Sequence, residues 1–277
     1  MKFPKRPKQK LQWLHRALTA GRRALPSCLI IGAAKSGTTS LYSYLGQHPN
    51  ILRGYSQEVH YFDGGLDPKR DSYARGERWY RKHFPLIDDM GEGDVTFESS
   101  PLYLYNPLAA ERIFGLLPEA RLIALLRNPT ERAISHYFHE RRRGREPLEL
   151  DAALAAEEAR LRPALARGDF KDAAFIHLSY KKRGLYCEQI ERFRQYFPDD
   201  QIMIVGHEEL FADPQSGLRR IFAFVGVDPD FAVPALRPHN VGGNRQDVDP
   251  AIRHELDAFF APHNRRLYDL TGTDFGW

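Results

Sequence analysis

Three continuous apolar runs of strand length punctuate the chain: Ser27–Gly32, Arg121–Leu126 and Gln201–Val205. Runs of this kind predict core strands covered on both faces, not strands with one wet side. Gly93–Glu98 alternates and predicts a further strand. Between them lie stretches of helical period: 38–47, stopped before Pro49; 106–116; 129–143, opened by Pro129; 148–167; 186–197, closed by Pro198; 214–225; and 250–270. The region from Arg53 to Arg78 is polar and rich in glycine, which predicts a long functional loop around a short element at Val59–Phe62. Strands alternate with helices throughout. The pattern predicts an α/β fold, a mostly parallel sheet with helices on both faces in a single domain over 26–277. A basic arm, 1–25, precedes it.

Charge changes this picture only when it is located. The net charge of +4 comes from 40 Lys and Arg against 36 Asp and Glu. Eight of the cations (Lys2, Lys5, Arg6, Lys8, Lys10, Arg16, Arg22 and Arg23) fall in the first 25 residues, which hold no acid. The remaining 32 cations face 36 acids, so the body stands at −4. Leu11, Leu14 and Leu18 share one helical face of the arm, which suits docking on the body or peripheral contact with an anionic membrane. No apolar run nears the roughly 20 residues that span a bilayer, and no signal-peptide core is visible, so the expected location is the cytoplasm. Cys28 and Cys187 have neither disulfide nor metal spacing and are expected as buried small hydrophobes. A net-acidic body without a reading motif argues against nucleic-acid binding.

The chemistry concentrates after the first run. Gly32-Ala-Ala-Lys35-Ser36-Gly37-Thr38-Thr39 joins a buried strand to a helix. Backbone N–H groups of such a turn converge on an anion, while Lys35 adds a charge and the hydroxyls add donors. In the nucleoside-triphosphate P-loop the lysine follows its glycine; here Lys35 precedes Gly37. The next core strand ends in Arg127, not in a magnesium-holding aspartate. A cation there meets a phosphate directly, so the pair suits two separate phosphates without a metal, on a P-loop-like fold.

Several segments in order carry a family resemblance. Gly-Ala-Ala-Lys-Ser-Gly-Thr-Thr (32–39), Gln-Glu-Val-His-Tyr-Phe-Asp (57–63) and Arg-Asn-Pro-Thr-Glu-Arg-Ala-Ile-Ser-His-Tyr (127–137) resemble the sulfotransferases that use 3′-phosphoadenosine-5′-phosphosulfate (PAPS). Arg-Gly-Leu-Tyr (183–186), Phe-Pro (197–198) and Asp-Phe-Gly-Trp (274–277) also match in order, in particular those of the heparan sulfate and related carbohydrate sulfotransferases and their bacterial relatives. The resemblance implies sulfuryl transfer from PAPS to a hydroxylated acceptor such as a saccharide, with 3′,5′-ADP released and no metal. It implies Lys35, Ser36, Gly37, Thr38 and Thr39 at the 5′-phosphate, and Arg127 and Ser135 at the 3′-phosphate. It further puts Tyr186 at the donor. Where the branch has its disulfide loop, this chain has the polar stretch 239–245, expected to close over the donor through Gly243 and Arg245.

Glu58 matches the general base of that branch, and an attacking alcohol needs such a group. His60, two residues on, has three open roles: orienting Glu58, contacting the donor, or acting as the base. Asp63 either positions the pair or binds acceptor. Two departures bear on the acceptor. Ser99 stands where the branch usually carries a lysine, and the branch's disulfide loop is absent. Ser99 and His136 join Asp63 as candidate acceptor contacts. His136, His139 and Glu140 do not form a zinc-protease pattern. Arg141, Arg142, Arg143 and Arg145 suit an anionic acceptor or a solvated helix end equally. Two other readings weigh less: an ATP-using enzyme, opposed by the Lys–Gly order and Arg127, and a membrane scaffold without turnover.

Overall fold

A computed structural model describes residues 7–237 and 248–277. Helix α1 (Pro7–Leu18) precedes strand β1 (Cys28–Gly32) and helix α2 (Thr38–Leu45). Strand β2 (Ile51–Arg53), the long loop, helix α3 (Glu77–Arg81) and strand β3 (Val95–Ser99) follow. Helix α4 (Ala109–Leu116), strand β4 (Arg121–Leu126) and helix α5 (Pro129–Arg142) complete the first half. The second half adds α6 (Leu150–Arg167), α7 (Ala173–His177), α8 (Tyr186–Arg194), β5 (Ile202–Gly206), α9 (His207–Ala212), α10 (Pro214–Val225) and α11 (Pro250–Thr271).

The five strands pair in the order β2-β3-β1-β4-β5, every pair parallel. The apolar runs alternate faces within a doubly covered sheet. Leu29 and Ile31 of β1, with Leu122, Ala124 and Leu126 of β4, pack under α4, α8 and α11. Cys28 and Ile30, with Ile123 and Leu125, pack against α2 and α10 on the other face. Both cysteines are buried and free, and burial pushes the Cys28 thiol up to about 12. Because all strands run the same way, the segments leaving β1, β2, β3 and β4 emerge at one edge. That edge receives the phosphate loop, the Glu58 loop, Ser100 and Arg127.

Two features depart from the sequence pattern. Strand β2 is too short, at three residues, to show a period. The expected element at Val59–Phe62 forms no strand, because side chains take over its backbone donors. The N–H groups of Val59 and His60 bond Ser100 Oγ at 3.1 and 3.0 Å, and that of Tyr61 bonds the Tyr103 hydroxyl at 2.9 Å. The arm, for its part, lies against the body. The Trp13 ring centroid sits 5.1 Å from that of His83, and Arg16 donates to the carbonyls of Lys82 and Phe84 at 2.6 and 2.7 Å.

Candidate active site

The phosphate-loop end of the site begins where β1 stops. The chain turns through Lys35 at φ 74° and Gly37 at φ 95°, and Gly37 caps α2. A side chain at Gly37 would be strained by that φ, and its Cβ would stand 2.7 Å from Phe211. His207 Nδ1 lies 2.8 Å from the Ser36 carbonyl and braces the turn from β5's exit. On the neighbouring strand, Arg127 leaves β4 and Asn128 caps α5, its side chain accepting from the N–H groups of Thr130 and Glu131. Arg127 reaches the Lys35 carbonyl at 3.4 Å, tying the two strand exits together. Ser135 is buried two turns into α5 and faces the same cleft.

Glu58 stands on the long loop, its side chain 41% exposed. Its Oε2 is 3.2 Å from His60 Nε2, while His60 Nδ1 is 2.6 Å from Asp63 Oδ2. Burial disfavours the charged imidazole, but Asp63 and then Glu58 outweigh it and raise His60 to about 10. His60 is therefore an imidazolium at neutral pH, held between two carboxylates. Behind it, Ser100 Oγ donates to buried Glu98 at 2.8 Å, and Glu98 also accepts from the hydroxyls of Tyr80 and Tyr103 at 2.6 and 3.0 Å. Lys171 clamps the far side of the loop, donating to the carbonyls of Gly64, Gly65 and Arg70 at 2.5–3.0 Å.

One cleft of about 1230 Å³ joins these parts. Lys35, Gly37, Thr38, Thr39, Arg127 and Ser135 line it together with Glu58, His60 and His136. Its cations, Lys35, Arg127, Arg141, Arg142, Arg143, Arg145 and Arg183, face two carboxylates, Glu58 and Glu140. The net-acidic body thus hides a cationic cleft. Burial pushes Glu140 up, yet His136 and Arg145 beside it outweigh burial and hold it at about 2. Burial and Lys35 push His139 down to about 4, leaving a neutral ring 3.4 Å from the Lys35 ammonium. Among the described residues no group of His, Cys, Asp or Glu is placed to hold a metal ion. Such a cleft suits a dianionic or polyanionic ligand beside a group that can accept a proton.

A family model described as "Sulfotransferase domain" matches residues 25–254. The chain belongs to the sulfotransferase family. It is 32% identical to mouse heparan sulfate glucosamine 3-O-sulfotransferase 6 over 93% of its own length and 75% of that protein's. It is 31% identical to mouse heparan sulfate glucosamine 3-O-sulfotransferase 3A1 over 94% of its length and 66% of the relative's. Among solved structures, a sulfotransferase from Alicyclobacillus acidocaldarius superposes with a TM-score of 0.75 at 34% identity, covering 91% of this chain and 97% of that one. Mouse SULT7A1, solved with PAP, shares the fold at 16% identity and a TM-score of 0.53, covering 91% of this chain and 90% of that one.

In this sulfotransferase not every expected site residue meets the cleft. Ser36 is fully buried beside the Tyr186 hydroxyl and is not among the residues that line the cleft. Tyr186 is buried too and donates to the Arg127 carbonyl at 2.9 Å; it holds the strand exit instead of lining the donor site. Asp63 is consumed by His60 and by the Gly65 N–H at 2.9 Å, which fits positioning and not acceptor contact. Ser99 points into the interior, because side chains alternate along β3 and its neighbours Glu98 and Ser100 take the loop. Gly243 and Arg245 lie outside the described residues. Sequence reasoning missed Glu98, Ser100, Lys171, His177, Arg183 and His207. The adjacency of Glu98 and Ser100 to the expected lysine position, and the place of Arg183 at the head of the Arg-Gly-Leu-Tyr match, were the signals that pointed toward them.

Proposed function

We propose that this sulfotransferase moves the sulfuryl group of PAPS onto a hydroxyl of a saccharide acceptor, with Glu58 as general base. The observation that carries the reading is the meeting of the cationic strand-exit loop with the Glu58–His60–Asp63 chain in one cleft. Lys35 and the backbone of 36–39 hold the 5′ end of the donor, and Arg127 with Ser135 holds the 3′-phosphate. The two strand exits lie side by side, as a ligand with two separated phosphates requires. The acceptor oxygen attacks sulfur as the bond from sulfur to the donor's phosphate oxygen breaks. Glu58 takes the hydroxyl proton, and Lys35 faces the charge left on that oxygen. His60 already carries its proton, so it orients Glu58 and leaves the basic role to it. Arg142 and Arg143, exposed at the mouth, favour an acceptor bearing anionic groups, in keeping with relatives named for heparan sulfate.

Glu58→Gln tests the assignment. Transfer from labelled PAPS into a panel of saccharide acceptors should fall by about 10²–10⁴. The Kd for 3′,5′-ADP should stay within about twofold, since Glu58 lies outside the phosphate sites. Undiminished transfer would overturn the role of Glu58, and loss of nucleotide binding would overturn the division of the cleft.

A further inference from the structure

We infer that α1 is a membrane-surface contact, its leucine stripe seated at the headgroup boundary of an anionic bilayer. Leu11, Leu14 and Leu18 recur at i, i+3 and i+7 and are 70, 57 and 74% exposed. The usual occupant of such a stripe is the protein's own body, yet α1 docks through its opposite face. Trp13 packs against Tyr55 and His83, with the Lys82 ammonium 4.3 Å from its ring, and Arg16 bonds two backbone carbonyls. Arg23 donates to the Phe84 carbonyl at 2.8 Å and accepts at its own carbonyl from Arg81 at 2.7 Å. The helix is thereby pinned with its leucines turned outward.

Charge selects the occupant. Residues 1–25 carry eight Lys and Arg and no Asp or Glu; Arg16 and Arg23 are spent on the body and Arg22 pairs with Asp88, which leaves the five cations of residues 2–10 to select the occupant. A second copy of the chain would bring two such segments face to face and meet like-charge repulsion. A nucleic acid would use the cations and leave the leucines wet. Anionic lipid takes both, apolar side chains into the acyl boundary and cations to the headgroups. No helix among the described residues is long and apolar enough to cross a membrane, so the contact is peripheral.

Sedimentation of the full chain with vesicles tests this. Binding is expected to phosphatidylcholine vesicles containing phosphatidylserine and not to phosphatidylcholine alone, and it should weaken as salt rises. Combined Leu11→Ser, Leu14→Ser and Leu18→Ser should lower partitioning by about tenfold or more while 3′,5′-ADP binding is kept. Lys10→Glu, an independent change at an exposed position, should weaken binding as well. Equal binding to both vesicle types, or a triple variant that sediments like the parent, would overturn the inference. So would a dimer of the parent chain that the triple variant makes monomeric, which would assign the stripe to a second copy.

Discussion

The phosphate-loop end of the cleft consists of near-consecutive residues at the exits of two adjacent strands, whereas Glu58 rides on a loop without a ladder of its own. Lys35 and Arg127 inherit their positions from β1 and β4, the most deeply buried strands of the sheet. The segment of Glu58 and His60 is held by side chains from elsewhere: Glu98 in β3, Ser100 just after it, Tyr103 beyond them, and Lys171 from the loop before α7. A phosphate site can be written into a short stretch of chain because strand and helix geometry aims its N–H groups. The proposed base must be held within a fraction of an ångström of its acceptor, and here that demands a network drawn from distant residues.

Damage to the two ends should therefore separate. The largest effect is expected for Arg127→Ala, which removes charge-assisted bonds to a phosphate worth roughly 1.5–3 kcal/mol. The Kd for 3′,5′-ADP should rise by one to two decades, measured by calorimetry. Smaller and of the other kind is Ser100→Ala, which leaves the N–H groups of Val59 and His60 without their shared acceptor oxygen. We expect kcat to drop about tenfold with nucleotide affinity unchanged; a parallel loss of affinity would show that the two ends are not held separately.

The smallest effect concerns pH. The folded pKa of His60 is raised above its ordinary 6.5 to about 10. Its contribution to stability is thus fully present below 6.5 and lost as pH rises through about 10. A pH profile of kcat and of Tm should show no His60 step near 6.5 and a decline toward 10, and His60→Asn should lack that basic limb. A step at 6.5 that vanishes in His60→Asn would instead place a neutral histidine beside Glu58.

Much of the fold was legible in the chain because the core strands are continuous apolar runs and their helices have clear caps and prolines. The helix spans over α2, α5, α10 and α11 follow from Pro49, Pro129, Pro214 and Pro250 to within a few residues. Within the cleft, Lys35, Gly37, Thr38, Thr39, Glu58, His60, Arg127, Ser135 and His136 were all legible. Ser36, Tyr186 and Ser99 are buried and do not line the cleft, while Asp63 takes the first of its two readings, positioning His60. A residue type and a position in a motif do not tell which way a side chain turns. Tyr186 faces the Arg127 carbonyl and Ser99 the interior, and both orientations depend on what packs against them.

By itself, then, the amino-acid sequence determined the strand–helix alternation, the family, and the phosphate loop, all of which rest on local period and short-range geometry. Tertiary structure alone decided that a net-acidic body carries a cationic cleft, since charge sums ignore where helices bring side chains together. It also decided that Glu98, Ser100 and Lys171 hold the Glu58 loop, and that Trp13 and Arg16 dock α1 with its leucines outward. Each of these joins residues tens of positions apart, and only packing brings such residues within bonding distance.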